Sequence, residues 1–475
     1  MASDASRPRR RGAIVRIAGA GSRALTQALG GAERTRVIVL LASVLALSSA
    51  DASTVGASAT PLRHALHINN TDVGLLVSIT SLVAAVASLP FGALADKVRR
   101  TWTLGIAIVF WGAAMIWSAT VPDFNQLLLA RVALGGVTAA AGPFVASLVG
   151  DYFPGSERGR IYGFVLAGEL VGAGVGFAVT GDIATLSWRA ALVILALPAF
   201  VLAWLVMRLP EPARGGRAGT GPEDTAAQRL ARERGIEPHP ELVLTKDPRR
   251  MNLFAAARYV LSIRSNVVLV LASACGYFFL SGVQTFGVEF TTHQYGIDTG
   301  LANLLLLVVG VGAVAGVLAG GALGDVLLGR GYLDGRILVS AIAATVSVLL
   351  FVPAIFAHSA LKALPYLVFA GLAVSAQNPP LDAARLDIMV PLLWGRAEGV
   401  RTGLRTLAQA LAPVLFGAVS DYVFGGGRNG LQWTFALMLV PLAASAYFLY
   451  RALETYPRDV ATAAAGYARS PAASP

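Results

Sequence analysis

The sequence predicts an all-α membrane protein with 12 transmembrane helices in two pseudo-symmetric six-helix halves. Three observations carry that prediction. Of 475 residues, 55% are hydrophobic and only 14% charged, with a mean hydropathy of +0.65; a soluble chain carries roughly a quarter charged residues. Apolar runs of about twenty residues, the length a helix needs to cross about 30 Å of hydrocarbon, recur along nearly the whole chain. Finally, short words of sequence at the ends of these runs appear twice, once in each half. A transmembrane β-barrel would show short alternating segments instead.

Taken in order, a basic tail (1–36) precedes spans near 37–59, 71–95, 102–120, 125–150, 160–182 and 187–208, the first half. A polar central loop (209–265) leads to spans near 266–291, 300–324, 335–357, 362–388, 398–422 and 431–452, followed by a tail (453–475). Arg7, Arg9, Arg10, Arg11, Arg16, Arg23, Arg34 and Arg36 crowd the first tail. Lys97, Arg99, Arg100, Arg158, Arg160, Arg330, Arg336 and Arg396 fall in loops on the same side, while the opposite loops hold little beyond Arg63, Arg189, Lys362 and Arg428. Lys and Arg prefer the cytoplasmic side, so both termini and the central loop are expected in the cytoplasm and the protein in the cell membrane. Trp102, Trp117, Trp188, Trp394 and Trp433 fall near span ends, where interfacial aromatics sit. In the central loop, "EPARGGRAGTGPEDT" reads as flexible linker. "NLFAAARYVLSIRS" places apolar residues on one helical face with Arg258 and Arg264 in reach of headgroups, a helix lying in the interface plane.

Composition also excludes functions. The net charge of +11 gathers at span ends, so it marks topology and not a nucleic-acid surface. The one cysteine, Cys275, rules out disulfides and thiolate metal clusters. His64 and His67, with no third ligand visible, read as solvated. No phosphate-binding loop, zinc-type helix motif or nucleotide-binding domain is present, so neither an enzyme nor a cofactor is expected.

The repeated words give the architecture. "GALAD" at 92–96 returns as "GALGD" at 321–325, and "GRIYG" at 159–163 as "GRAEG" at 395–399. Upstream of the second pair stand Asp151 with Pro154, and Asp387 with Pro391. Both words are displaced by similar amounts, the mark of a duplicated transporter. Gly92 and Gly321 let helices approach closely, and the aspartate then sits at the water boundary beside a helix N-terminus of its own or the other half. There a carboxylate gains roughly 0.3–1 kcal/mol from the helix dipole, and the contact can be made in one state and broken in another.

On these residues the chain resembles the major facilitator superfamily over nearly its whole length. "GALADKVRR" is similar to that family's loop 2–3 signature, with Gly92, Asp96 and Arg100 on its main positions. By that likeness Asp96 helps latch the cytoplasmic side against the C-terminal half. Asp325 does so in the looser loop 8–9 copy, and Glu157, Arg158 and Arg160 of "PGSERGR" belong to the same gate. Arg131 with Gly135 matches the span-four pattern. Within the superfamily "DYFPGSERGRIYGF" and "RRTWTLGIAIVFWGAAM" resemble the Spinster-like branch, which also carries an aspartate where Asp51 stands; Ala52 and Thr138 depart from it.

Ionisable residues at bilayer depth mark function. At about 1.5 Å per residue, Asp51 lies about 22 Å and Arg131 about 18 Å from the cytoplasmic side, which allows a pair. Asp51, Arg131 and Glu169 are the candidates for proton coupling or substrate contact. Pro379 and Pro380 interrupt span ten next to Gln377 and Asn378, the candidate polar wall of the cavity. Asp382, Arg385, Asp387, Arg401 and Arg405 form a candidate inner gate.

The expected function is secondary transport by alternating access, without a cofactor or metal. The partners are the bilayer, a small hydrophobic or amphipathic solute such as a lysolipid or drug-like compound, and protons as the coupling ion; a monomer is expected. That solute follows from linings rich in Ala, Val, Leu and Gly with Tyr277, Phe278, Phe279 and Phe286 on span seven, and its export is favoured. Two alternatives stand beside this reading: uptake of a small organic anion with Arg131 as counter-ion, and a non-transporting receptor or scaffold on the same fold.

Overall fold

A computed structural model describes residues 31–68, 70–214, 225–244, 247–248, 251–425 and 427–468. The basic tail up to Arg23 and the middle of the Gly-rich linker, 215–224, lie outside the described residues. The first half contains α1 (Ala32–Ala57), a short α2 (Ala59–Leu66), α3 (Asn70–Ala95), α4 (Arg100–Thr120), α5 (Phe124–Thr138), α6 (Ala141–Tyr152), α7 (Arg158–Leu186) and α8 (Trp188–Met207). Two short helices follow in the central segment, α9 (Ala226–Glu233) and α10 (Leu253–Ser262). The second half contains α11 (Arg264–Tyr295), α12 (Thr299–Gly329), α13 (Gly335–Phe356), α14 (Ala360–Ala376), α15 (Asn378–Asp387), α16 (Trp394–Ala418) and α17 (Gly427–Ala468). Among the described residues ten spans meet the length and hydropathy of a membrane crossing, with α5–α6 and α14–α15 each forming one. α1 and α7, of 26 and 29 residues, complete the twelve.

The two composite spans break at matching places. Pro143 has no N–H for the Ala139 carbonyl, and Pro379 none for that of Ser375, so α5 stops at Thr138 and α14 at Ala376. Beside the second break the Ser340 hydroxyl donates to the Gln377 carbonyl at 2.8 Å, tying the interrupted span to α13.

Within the first half α7 lies along α1 through Gly168, Gly172 and Gly176, which face Ala42, Ala46 and Ala50. A Cβ at Gly176 would stand 2.5 Å from the Ala50 Cα, so only glycine permits this approach. Between the halves α3 meets α16 and α7 meets α12, by the same device. A Cβ at Gly92 would lie 2.6 Å from the Gly395 carbonyl oxygen, and one at Gly159 2.8 Å from that of Gly321. The repeated glycines are where the two halves touch.

Trp188 and Trp394 are buried, at 4% and 2% exposure, and are not interfacial. Trp394 fills the space over Gly150 in the other half, and its indole N–H donates to the Leu386 carbonyl at 3.0 Å. Trp102, Trp117 and Trp433 remain exposed. The last helix does not stop near 452 but runs to Ala468, where Tyr456, Asp459 and Val460 are buried. It packs against α9, whose start is fixed by a reciprocal Thr225–Gln228 capping box. Arg232 donates to the Ala464 carbonyl at 2.8 Å, and the His239 N–H to the Thr462 hydroxyl at 2.9 Å.

Candidate functional site

A cavity of about 320 Å³ lies between the halves, deeper than the glycine contacts and lined from both. Its first-half wall carries one buried ion pair: Arg131 on α5 donates to Asp51 on α1 at 3.1 Å, with both side chains almost fully enclosed. Glu169 on α7 also lines the cavity. It has no hydrogen-bond or ion-pair partner among the described residues, though it is within electrostatic reach of Arg405.

The second-half wall is charged where the sequence reading placed mainly apolar and aromatic groups. Arg385 pairs with Asp382 and donates to the Leu269 carbonyl at 3.1 Å. Arg401 pairs with Glu398 and lies 3.5 Å from Asp382, and the Thr402 hydroxyl donates to Glu398 at 3.1 Å. Arg405, one helical turn beyond Arg401, has no carboxylate partner among the described residues. Its guanidinium sits 4.5 Å from the Tyr277 ring centroid, and its Nε is buried without a hydrogen bond. Of the four aromatics expected here only Tyr277 lines the cavity. Phe278 and Phe286 pack on Phe416, and Phe279 on Phe351. Asn378 lines it too, whereas Gln377 is turned to Gly276, where a Cβ would be 3.2 Å from its side-chain nitrogen.

Asp387 stands apart from the other inner charges. It accepts from Arg336 at 2.7 Å and from the Tyr456 hydroxyl at 3.1 Å, with Arg158 at 4.0 Å. This group belongs to one of two contacts that cross between the halves at the residues expected to latch them. Asp96 crosses to the second half and accepts from the N–H groups of Gly395 at 2.7 Å and Arg396 at 3.0 Å, and from Arg396 Nε at 2.7 Å. Asp325 crosses to the first half and accepts from the N–H groups of Gly159 at 3.1 Å and Arg160 at 2.7 Å. It also holds Arg336 at 2.6 and 3.2 Å. Each aspartate thus satisfies orphan donors at the start of a helix in the opposite half, α16 or α7. Burial pushes the Asp96 carboxyl up to about 6, against the opposing pull of the Arg396 side chain and the two backbone donors.

Arg100 does not cross between halves. It pairs with Asp151, lies 2.8 Å from Glu211 and donates to Ser147 at 3.0 Å. Burial would raise the Glu211 carboxyl, but the Thr101 N–H and Arg100 outweigh it and leave it below the usual range. Arg158 lies over the Trp394 ring at 4.7 Å and donates to the Gly150 carbonyl at 2.6 Å. Glu157 pairs with Arg34 on α1 and sits 3.7 Å from Arg160. Sequence reasoning passed over Arg336, Arg396 and Glu398 as site residues. A signal existed for the first two: Arg100–Asp151 and Arg336–Asp387 are each 51 residues apart, and Arg396 follows Gly395 as Arg160 follows Gly159.

Comparison with known proteins places this geometry. The family model described as Major Facilitator Superfamily matches residues 41–389. The "Probable L-galactonate transporter" of Escherichia coli (strain K12) is 30% identical over 142 residues, 30% of this chain and 31% of that protein. The curated relatives first in similarity are matched over about a third of their length. Among solved structures, a bacterial homolog of the human lysosomal transporter Spinster, inward-facing and unoccupied, superposes with a TM-score of 0.61 at 19% identity, over 90% of this chain and 98% of that one. The transporter FucP in the outward conformation superposes with a TM-score of 0.65 at 15% identity, over 87% and 98%.

Proposed function

The chain belongs to the Major Facilitator Superfamily, and from that premise we propose that it carries a small organic anion by alternating access, with Arg405 as the counter-ion. The unpaired Arg405 guanidinium in the central cavity carries this reading. Arg131 is neutralised by Asp51, and Arg401 by Glu398 and Asp382, so neither offers a free charge. Arg405 is half-buried, with its Nε enclosed and unbonded, and a substrate carboxylate would supply the missing partner at the moment of binding, held by a planar donor fork. Tyr277 orients the guanidinium from behind. Gln284, Gln409 and Asn378 supply neutral polar groups for the rest of the solute. The relative named for L-galactonate, a sugar acid, supports this class over a lysolipid.

Glu169 is the proton site in this scheme. It faces Arg405 from the other half, and its negative charge competes with a bound anion; a proton on Glu169 removes that competition. Anion and proton then share the cavity, which is symport, with the reciprocity that linkage requires. On this reading the basic loops lie in the cytoplasm together with the Asp96 and Asp325 face; the latched state then opens its cavity outward, and breaking both latches gives the inward-open state.

The test is binding to the purified protein, followed by thermal shift and calorimetry across aliphatic, hydroxylated and aromatic carboxylates and their uncharged amides. Carboxylates should bind and amides should not, and Arg405→Gln should weaken binding at least tenfold, the value of about 1.4 kcal/mol for a lost charge-assisted contact. Binding of neutral amphiphiles indifferent to Arg405 would return the assignment to a hydrophobic solute.

A further inference from the structure

Outside the transport cavity, a second space lies on the outer surface beside the Asp96 latch. α10 runs next to the last turns of α3, and between them is an apolar groove of about 570 Å³. Leu82, Val86 and Pro90 line it from α3, and Leu253, Phe254 and Ala257 from α10. Among the described residues no polar side chain lines it. Phe254 is 85% and Val86 68% exposed, which fits contact with acyl chains and not with water.

The charges beside it fix the kind of occupant. Arg258 follows Phe254 by one helical turn on the same exposed face, and Leu261 continues that stripe. Arg264, exposed at the first residue of α11, follows. Neither arginine has an acidic partner among the described residues. An apolar groove flanked by free guanidiniums on an amphipathic helix matches a lipid with an anionic head. We propose that the groove between α3 and α10 binds an anionic phospholipid, its acyl chain along Val86 and Phe254 and its phosphate on Arg258 and Arg264.

This site reports on conformation. α3 belongs to the first half, whereas α10 packs on α16 of the second. The segment leading into α10 also holds the latch, because the carbonyls of Pro248 and Met251 accept from Arg396 at 3.0 and 3.2 Å, and Arg396 holds Asp96. The groove is whole only while the halves meet on this face. A lipid seated there binds the latched state better, and so shifts the population toward it. The groove would take its lipid whichever solute the central cavity carries.

The test uses the full chain in nanodiscs of phosphatidylcholine, of phosphatidylcholine with phosphatidylglycerol, or of phosphatidylcholine with a free fatty acid. Retained lipid is read by native mass spectrometry, and the separation of spin labels across the latch face by pulsed resonance. Wild type should retain phosphatidylglycerol over phosphatidylcholine by on the order of tenfold, as two arginines at an anionic head allow, and close further in its presence. Arg258→Gln with Arg264→Gln should abolish the preference, and Val86→Trp should expel the lipid with both arginines intact. Equal retention of the two phospholipids by wild type, or a preference untouched by either variant, overturns the site. A free fatty acid that competes equally overturns the phospholipid assignment. Should the double variant fail to fold, Val86→Trp and the wild-type comparison decide the matter.

Discussion

Replacing Asp325 by Ala should tip the protein out of its latched state. The carboxylate takes the N–H of Gly159 at 3.1 Å and that of Arg160 at 2.7 Å, in a contact where a side chain at Gly159 would have no room. Alanine strands both donors at the start of α7, and each buried donor without an acceptor costs about 1–3 kcal/mol. Arg336 is not stranded, because Asp387 at 2.7 Å and the Gly155 carbonyl still hold it, so no charge penalty is added. The sum is about 3 kcal/mol, or roughly 150-fold in the closed-to-open ratio; a ratio of about 99:1 would become nearly even. Asn retains one oxygen and should cost about half as much. Spin labels at Lys97→Cys and Arg330→Cys, in a Cys275→Ser background that removes the one native cysteine, report the separation of the halves on this face. A wild-type distance distribution in Asp325→Ala, with thermal stability retained, would refute the latch.

That same variant makes the other latch measurable. With Asp96 at about 6 when closed, against 3.8 when hydrated in the open form, the closed state binds the extra proton. Closure should therefore strengthen as pH falls from about 7 to 5, by about 1.3 kcal/mol or roughly tenfold. Label distances in Asp325→Ala follow this, and Asp96→Asn should erase the pH dependence. Gly321→Val puts its Cβ against the backbone of Gly159 and Arg160 in the other half. It should open the latch face by about 1–3 kcal/mol while leaving the melting temperature near wild type. Gly176→Val acts inside one half, against Ala50, and should lower the melting temperature instead. Glu398→Gln leaves Arg401 with only Asp382 at 3.5 Å. It should cost about 3 kcal/mol of stability, the penalty of breaking a buried pair from one side, read by thermal denaturation.

Features tied to composition and repetition were legible before any coordinates. Hydropathy marked the spans, and the doubled glycine–aspartate word marked where the halves meet, because both depend on residue type alone. Features that depend on which way a helix faces were not. Nearly every position of these spans is apolar, so no moment distinguishes lipid from cavity; Gln377 and Asn378 are neighbours, yet only Asn378 lines the cavity. Trp394 reads as an interfacial aromatic because it ends a span, but its ring is needed between the halves, over Gly150. The break in span four passed unnoticed although Pro143 stands where Pro379 stands in the other half. The small residues around it, unlike the Pro-Pro of span ten, do not announce an interruption. Arg396 and Arg336 counted only as topology signals. The partner of Arg396, Asp96, is 300 residues away, and Arg336 is joined to Asp325 and Asp387, 11 and 51 residues away, only once the helices have packed.

The central claim, that an anion on Arg405 and a proton on Glu169 move together, is tested most directly by uptake of a bound carboxylate into proteoliposomes under an imposed inward proton gradient. Wild type should accumulate it and Arg405→Gln should neither bind nor accumulate it. Glu169→Gln should exchange it without responding to the gradient. Accumulation that survives Arg405→Gln, or that responds to the gradient without Glu169, would contradict the account.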